Sequence, residues 1–115
     1  MILVTGGLGY LGVNIVEHLV SLGQRVRLTS HRENPLKPEK LGSCECFLID
    51  LNDIKSLERA CYGIKTIIHL AALDAQSSEK NPASALIVNG LGTMNLLNVA
   101  GNMGIENFVY MSTVH

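Results

Sequence analysis

Met1-Ile2-Leu3-Val4-Thr5-Gly6-Gly7-Leu8-Gly9-Tyr10-Leu11-Gly12 opens the chain. A short apolar strand runs into a turn with glycines at 6, 9 and 12, and Leu11, Ile15, Leu19 and Leu22 follow at helical spacing. Strand, glycine turn and helix in that order seat a pyrophosphate on a helix N-terminus. Gly6 lets the chain leave the strand through a conformation closed to other residues. Gly9 removes a side chain where backbone must approach phosphate, and Gly12 lets the helix lie close to the strand. The amides of Tyr10 and Leu11 then point at the ligand along with the helix dipole, worth ~0.3–1 kcal/mol.

From that turn the rest of the chain reads as alternating strands and helices. Strands are expected at Met1–Val4, Arg25–Thr29, Cys44–Ile49, Thr66–Leu70 and Asn107–Met111, and helices at about 10–22, 53–61 and 82–103. Such alternation predicts a doubly wound parallel α/β sheet with right-handed crossovers, in the order 3-2-1-4-5. The loop Arg32–Leu41, carrying Pro35 and Pro38, is expected to be irregular and to replace a crossover helix. Asn81-Pro82 caps the third helix and Gly104 stops it. Gly90 and Gly92 inside that helix each cost about 1 kcal/mol against alanine. Either a neighbouring backbone or a cofactor passes close to them, or the helix is suboptimal.

Composition limits the function classes. The 115 residues suit one domain, and 47% hydrophobic with 17% charged residues supply a core. The net charge of −1 gives no nucleic-acid surface. No unbroken apolar run reaches the ~18 residues of a membrane span, and the chain starts on a core strand rather than a leader. A cytoplasmic protein is expected. Cys44 and Cys46 lack further ligands at finger spacing, so reduced cysteines on a buried strand are expected instead of a metal site.

Ligands of such sheets bind beyond the C-terminal strand ends, where strand order reverses. After strand two come Ser30-His31-Arg32, where a dinucleotide site for NAD usually carries an acid. No carboxylate there repels a 2′-phosphate and Arg32 offers it a guanidinium, so NADP is favoured over NAD. After strand three, Asp50 is placed to accept from the adenine amino group and Leu51 to pack on the ring, while Asp53 caps the next helix. After strand four, small residues in His69-Leu70-Ala71-Ala72 leave room for the cofactor. His69 itself reads as a buried, hydrogen-bonded residue.

These segments, with Asn89-Gly90-Leu91-Gly92-Thr93-Met94-Asn95-Leu96-Leu97 and Phe108-Val109-Tyr110-Met111-Ser112-Thr113, resemble the extended short-chain dehydrogenase/reductase family. That family contains nucleotide-sugar epimerases, dehydratases and reductases, and the related 3β-hydroxysteroid dehydrogenases. The resemblance implies that the Tyr10 and Leu11 amides hold the pyrophosphate, and Asp50 and Leu51 the adenine. Leu70, Ala71 and Ala72 would line the path to the nicotinamide ribose, with Asn89 bonded near it. Thr113 falls on the family's catalytic Ser/Thr, whose hydroxyl bonds the reacting oxygen, and Ser112 lies beside the nicotinamide. Val114 and His115 replace the acids that follow this threonine in sugar dehydratases, which leaves epimerisation or simple oxidation and reduction.

The family also uses a Tyr-x-x-x-Lys helix, because a phenol of pKa about 10 is no base at pH 7 unaided. Tyr10, Tyr62 and Tyr110 have no lysine four residues on. The chain is therefore expected to be the N-terminal part of one dinucleotide-binding domain, without turnover by itself. The resemblance further implies a homodimer through the 82–103 helix, whose apolar stripe (Leu86, Leu96, Leu97) would promote self-association if left uncovered. The rival class is a non-catalytic, dinucleotide-binding redox sensor, against which Thr113 weighs.

Overall fold

In a computed structural model, which describes residues 1–71 and 80–111, the chain forms one five-stranded parallel sheet in the order β3-β2-β1-β4-β5. The strands are β1 (Ile2–Thr5), β2 (Val26–Ser30), β3 (Glu45–Leu48), β4 (Thr66–His69) and β5 (Asn107–Tyr110). Helix α1 (Tyr10–Ser21) follows β1, α2 (Ile54–Cys61) precedes β4, and α3 (Pro82–Asn102) precedes β5. The strand order expected from the sequence is the one observed.

Alternation along β1 shows why the sheet needs cover on both sides. Leu3 and Val4 are both fully buried but point to opposite faces. Leu3 joins Ile67, Leu57, Ala60, Leu96 and Val99 in a layer beneath α2 and α3. Val4 joins Val16, Val26, Leu28 and Leu41 in a layer beneath α1. A parallel sheet buried on both faces is the arrangement that near-continuous apolar strands specify.

Three local expectations change. The inward face of α1 carries Gly12 and Val16, whereas Leu11 and Leu22 are 47% and 62% exposed. The expected stripe is thus rotated by one residue, because Gly12 must face the glycine turn. The loop after β2 ends in a 3-10 turn, Glu39–Leu41, and the fully buried Leu41 packs into the α1 layer as a crossover helix would. Helix α3 carries a π segment, Leu86–Leu91, directly before Gly92. Leu96 of that helix is fully buried against the sheet; the exposed apolar residues are Leu86, Ile87, Leu91, Met94 and Leu97.

Caps fix the helix starts. Asp53 accepts from the Lys55 amide at 3.2 Å and Asn81 from the Ser84 amide at 3.2 Å, as their positions in the sequence led one to expect. Arg27, buried on β2, holds the other end of α2 by donating to the carbonyls of Ala60 and Tyr62, each at 2.7 Å. Its guanidinium also lies 4.5 Å over the Phe47 ring.

Candidate dinucleotide site

Strand order reverses between β1 and β4, and the loops after those two strands meet there. Gly6 takes φ +70°, and a Cβ on it would sit 2.8 Å from the Ala71 amide nitrogen and 2.9 Å from the Leu70 carbonyl carbon. Only glycine fits on both counts. The Gly9 amide donates to the Gly6 carbonyl at 3.1 Å and closes the turn. A Cβ on Gly12 would collide with the Gly6 carbonyl oxygen and stand 2.6 Å from the Gly7 Cα. Gly12 therefore permits contact of the helix with the turn itself, rather than with the strand as expected.

Gly9 is the N-cap of α1, and having no side chain it leaves the first-turn amides to be satisfied by something else. No acidic residue lies in that turn. Gly9, Tyr10 and Leu11 are exposed, Tyr10 to 92%. A bare, outward-facing helix start with no carboxylate of its own suits an anion. The residues present fit a dinucleotide diphosphate: Gly6 and Gly12 close the turn against its own backbone, and Gly9 puts no side chain over the exposed helix start.

Asp50 and Leu51, expected from the sequence on the adenine side, are organised by contacts that sequence reading did not find. Asp50 Oδ1 accepts from the Asn52 amide at 2.9 Å, which curls the strand end into a turn. The buried Ser56 hydroxyl accepts from the Asp50 amide at 3.1 Å and ties this turn to α2. Asn95 reaches across from α3 and donates to the Leu51 carbonyl at 2.9 Å. Gly92 lies under Leu51 so closely that a Cβ there would be 2.8 Å from the Leu51 Cβ. Of the two α3 glycines, Gly92 is thus explained by close approach, to a side chain rather than a backbone. Gly90 makes only ordinary contact, with Leu86 Cδ1 at 3.5 Å from such a Cβ. The spacing of Gly92 and Asn95, one helical turn apart, was the available signal. Asn95→Ala is expected to free the Asp50–Leu51 turn and weaken adenine-nucleotide binding about fivefold, by ~1 kcal/mol for one lost hydrogen bond. Titration with AMP checks it.

Other candidates sit as follows. Ser30 is the last residue of β2; its hydroxyl accepts from the Arg32 amide and donates to the Arg32 carbonyl, both at 3.0 Å. That bonding shapes the loop, with Arg32 exposed at its tip. Leu70 and Ala71 follow β4 directly, half-buried against Gly6. Asn89 lies half-buried in the π segment of α3. Ala72, Ser112 and Thr113 lie outside the described residues.

His69 is fully buried at the end of β4. Its Nδ1 is 2.6 Å from Thr5 Oγ1 and its Nε2 is 2.9 Å from Thr93 Oγ1. Tyr110 stacks on its ring with centroids 5.8 Å apart, and Phe108 lies at 6.0 Å. Burial lowers its pKa to about 4. It is the structural, hydrogen-bonded histidine that the sequence suggested.

Comparison with known proteins places this geometry. The 3-beta hydroxysteroid dehydrogenase/isomerase family model matches residues 3–115, and the chain belongs to that family. It is 32% identical to a 3-beta-hydroxysteroid dehydrogenase of Mycolicibacterium neoaurum, covering 97% of this chain and 31% of that protein. An uncharacterized membrane protein of Methanocaldococcus jannaschii is 35% identical over 97% of this chain and 35% of its own length. Among solved structures, Thermus thermophilus UDP-glucose 4-epimerase in complex with NAD superposes with a TM-score of 0.87 at 34% identity, over 97% of this chain and 37% of the enzyme. The chain spans about a third of the length of these relatives.

The membrane label on one relative touches a sequence expectation. Pro82–Asn102, 21 residues that include a stretch of 18 with mean hydropathy 1.3, is long and apolar enough to cross a membrane by length and composition. Here it packs Leu96, Val99 and Ala100 into the core layer with Leu3 and Ile67, sets Gly92 against Leu51, and donates from Asn95 to the β3 loop. Those contacts are a crossover helix's contacts.

Proposed function

We propose that this chain is the coenzyme-binding part of an NAD(P)-dependent epimerase or dehydrogenase/reductase. It would act on a hydroxyl or carbonyl carbon of a nucleotide-sugar, sterol-like or related small-molecule substrate. The observation that carries the reading is the glycine cradle at the switch point, where Gly6 and Gly12 have room for no Cβ and the first turn of α1 is exposed and capped by no side chain. Family membership and the likeness to an epimerase crystallised with NAD support it.

The resemblance to the family assigns each residue its part. The Tyr10 and Leu11 amides bind the diphosphate, and Asp50 and Leu51 hold the adenine. Leu70, Ala71 and Ala72 border the path of the nicotinamide ribose, with Asn89 and Ser112 near it. Bound there, a nicotinamide supplies hydride transfer, while the protein orients it and stabilises developing charge. Thr113 is assigned the catalytic hydroxyl that bonds the reacting oxygen. The enzyme reading is preferred to the redox-sensor reading because the family contains dehydrogenases and isomerases. It also carries a cytoplasmic location and a homodimer through α3, whose Leu86, Met94 and Leu97 remain exposed.

NADP is the favoured coenzyme, because Ser30 and Arg32 stand where an acid would repel a 2′-phosphate. NADPH is expected to bind about fivefold more tightly than NADH, near the ~1 kcal/mol upper range of an exposed ion pair. Arg32→Ala should erase the difference. Tighter NADH binding in the unsubstituted protein would reverse the assignment. The reaction class is tested in the whole protein by following nicotinamide absorbance with hydroxysteroids and, because an epimerase returns its hydride and leaves no net absorbance change, by chromatography of the epimer formed from UDP-sugars. Coenzyme binding with no hydride transfer to any of them would contradict it.

A further inference from the structure

One buried network remains that coenzyme contact alone does not explain. Thr5 and His69 are register partners on adjacent strands, and Tyr110 continues the row on β5. Thr5 Oγ1 is 3.1 Å from the Leu70 amide, which it shares with the Thr5 carbonyl at 3.0 Å, and 3.2 Å from the Ala71 amide. Both amides can only donate. Thr5 is fully buried, so its hydroxyl proton needs an acceptor inside the protein. Among the groups of the described residues bonded to that oxygen, only His69 Nδ1 can take it. The imidazole then keeps its proton on Nε2, which donates to Thr93 Oγ1 on α3 at 2.9 Å.

We propose that His69 is a positioning residue for the coenzyme, fixed as the Nε2–H tautomer between Thr5 and Thr93, a role that rests on the functional reading above. Its two bonds run in opposite directions across the switch point. Through Thr5 it sets the Leu70 and Ala71 amides, which form the wall facing Gly6 at contact distance. Through Thr93 it sets α3, whose neighbouring Gly92 and Asn95 hold the adenine-side turn. One side chain thus ties the nicotinamide-side wall to the element that shapes the adenine side. Neither of its nitrogens is left for substrate, so its part is orientation.

The test separates the two arms by side-chain length. An asparagine at 69 places its amide oxygen near the position of Nδ1 and keeps an acceptor for Thr5, whereas a glutamine places its amide nitrogen near Nε2 and serves Thr93. In the full chain, NADH and NADPH dissociation constants are measured for His69→Asn, His69→Gln and Thr5→Val, alongside ¹⁵N chemical shifts of the imidazole in the unsubstituted protein. The shifts should show a pyrrole-like Nε2 and a pyridine-like Nδ1. Thr5→Val and His69→Gln should weaken both coenzymes about tenfold, and His69→Asn about twofold, as expected when one buried donor or acceptor loses its partner. Faster exchange of the Ala71 amide should accompany the first two. The opposite tautomer, or unchanged affinities in folded His69→Gln, would overturn the proposal; should Thr5→Val not fold, the asparagine–glutamine pair decides. If the unsubstituted protein binds neither coenzyme, the functional reading itself fails, and that outcome involves no variant.

Discussion

Gly12→Ala should reduce coenzyme affinity at least about a hundredfold and destabilise the protein by ~1–3 kcal/mol, the range for forcing extra atoms into a packed interior. The obstacle is backbone on every side. The added methyl would overlap the Gly6 carbonyl oxygen and approach the Gly7 carbonyl carbon to 2.8 Å. No rotamer change relieves such a clash, so α1 must move outward, carrying the Tyr10 and Leu11 amides with it. Gly101 supplies the control: it also lies in a helix, and a Cβ there would meet nothing within 4 Å. Gly101→Ala should be neutral or stabilising by up to about 1 kcal/mol, from helix propensity alone. Urea unfolding and NADH titration of the two variants check both statements. Equal behaviour of the pair would mean that the turn does not have the close-packed geometry described.

The second large effect is acid destabilisation through His69. Folded, the buried imidazole has its pKa lowered to about 4; unfolded, it returns to the ordinary value of 6.5. The unfolded chain therefore takes up a proton at a pH where the folded one refuses it. The stability tied to neutral His69 is complete above pH 6.5 and is lost as pH falls from there toward about 4. At ~1.36 kcal/mol for each pH unit separating the two values, the loss is on the order of 3 kcal/mol. Protonation would also put a hydrogen on Nδ1 and face it against the Thr5 hydroxyl proton, with Tyr110 stacked over the ring and, among the described residues, no carboxylate bonded to it. Unfolding free energies at pH 7.5 and 4.5 should show this fall, and His69→Asn should remove most of it. A variant whose pH dependence matches the parent's would show that the histidine is not the group responsible.

Much of the scaffold was legible because local and global signals agree. Short apolar strands bounded by Gly, Asn or Asp, alternating with capped helices, admit few topologies, and the strand order follows from them. The glycine turn was legible for the same reason: Gly6 marks a positive φ and Gly12 a close approach, both consequences of lacking a Cβ. What escaped the sequence is long-range. The rotation of α1 escaped because the apolar spacing of Leu11, Ile15, Leu19 and Leu22 points one residue away from the inward face that Gly12 imposes. The π segment is invisible because its residues, Leu86–Leu91, are ordinary helix formers apart from Gly90. Thr5, Ser56, Thr93 and Asn95 were passed over for a different reason. A hydroxyl or amide within a strand or helix looks solvated until its partner, tens of residues away, is known to lie across from it. Thr5 and His69, separated by 64 positions in the chain, meet only because β1 and β4 pair in register.

The exposed apolar side of α3 shows a similar limit. The sequence marked Leu96 and Leu97 together as part of one stripe, but consecutive helical residues point about 100° apart. Leu96 therefore enters the core while Leu97 stays 47% exposed. The surface left for the proposed dimer is made by Leu86, Ile87, Leu91, Met94 and Leu97 instead.

The central claim concerns the turn after β1, and isothermal calorimetry of the folded chain against NADH and NADPH tests it most directly. The account requires saturable one-to-one binding that Gly12→Ala abolishes and Gly101→Ala leaves intact. A cooperatively folded protein that takes up neither coenzyme, even at millimolar excess, would contradict it.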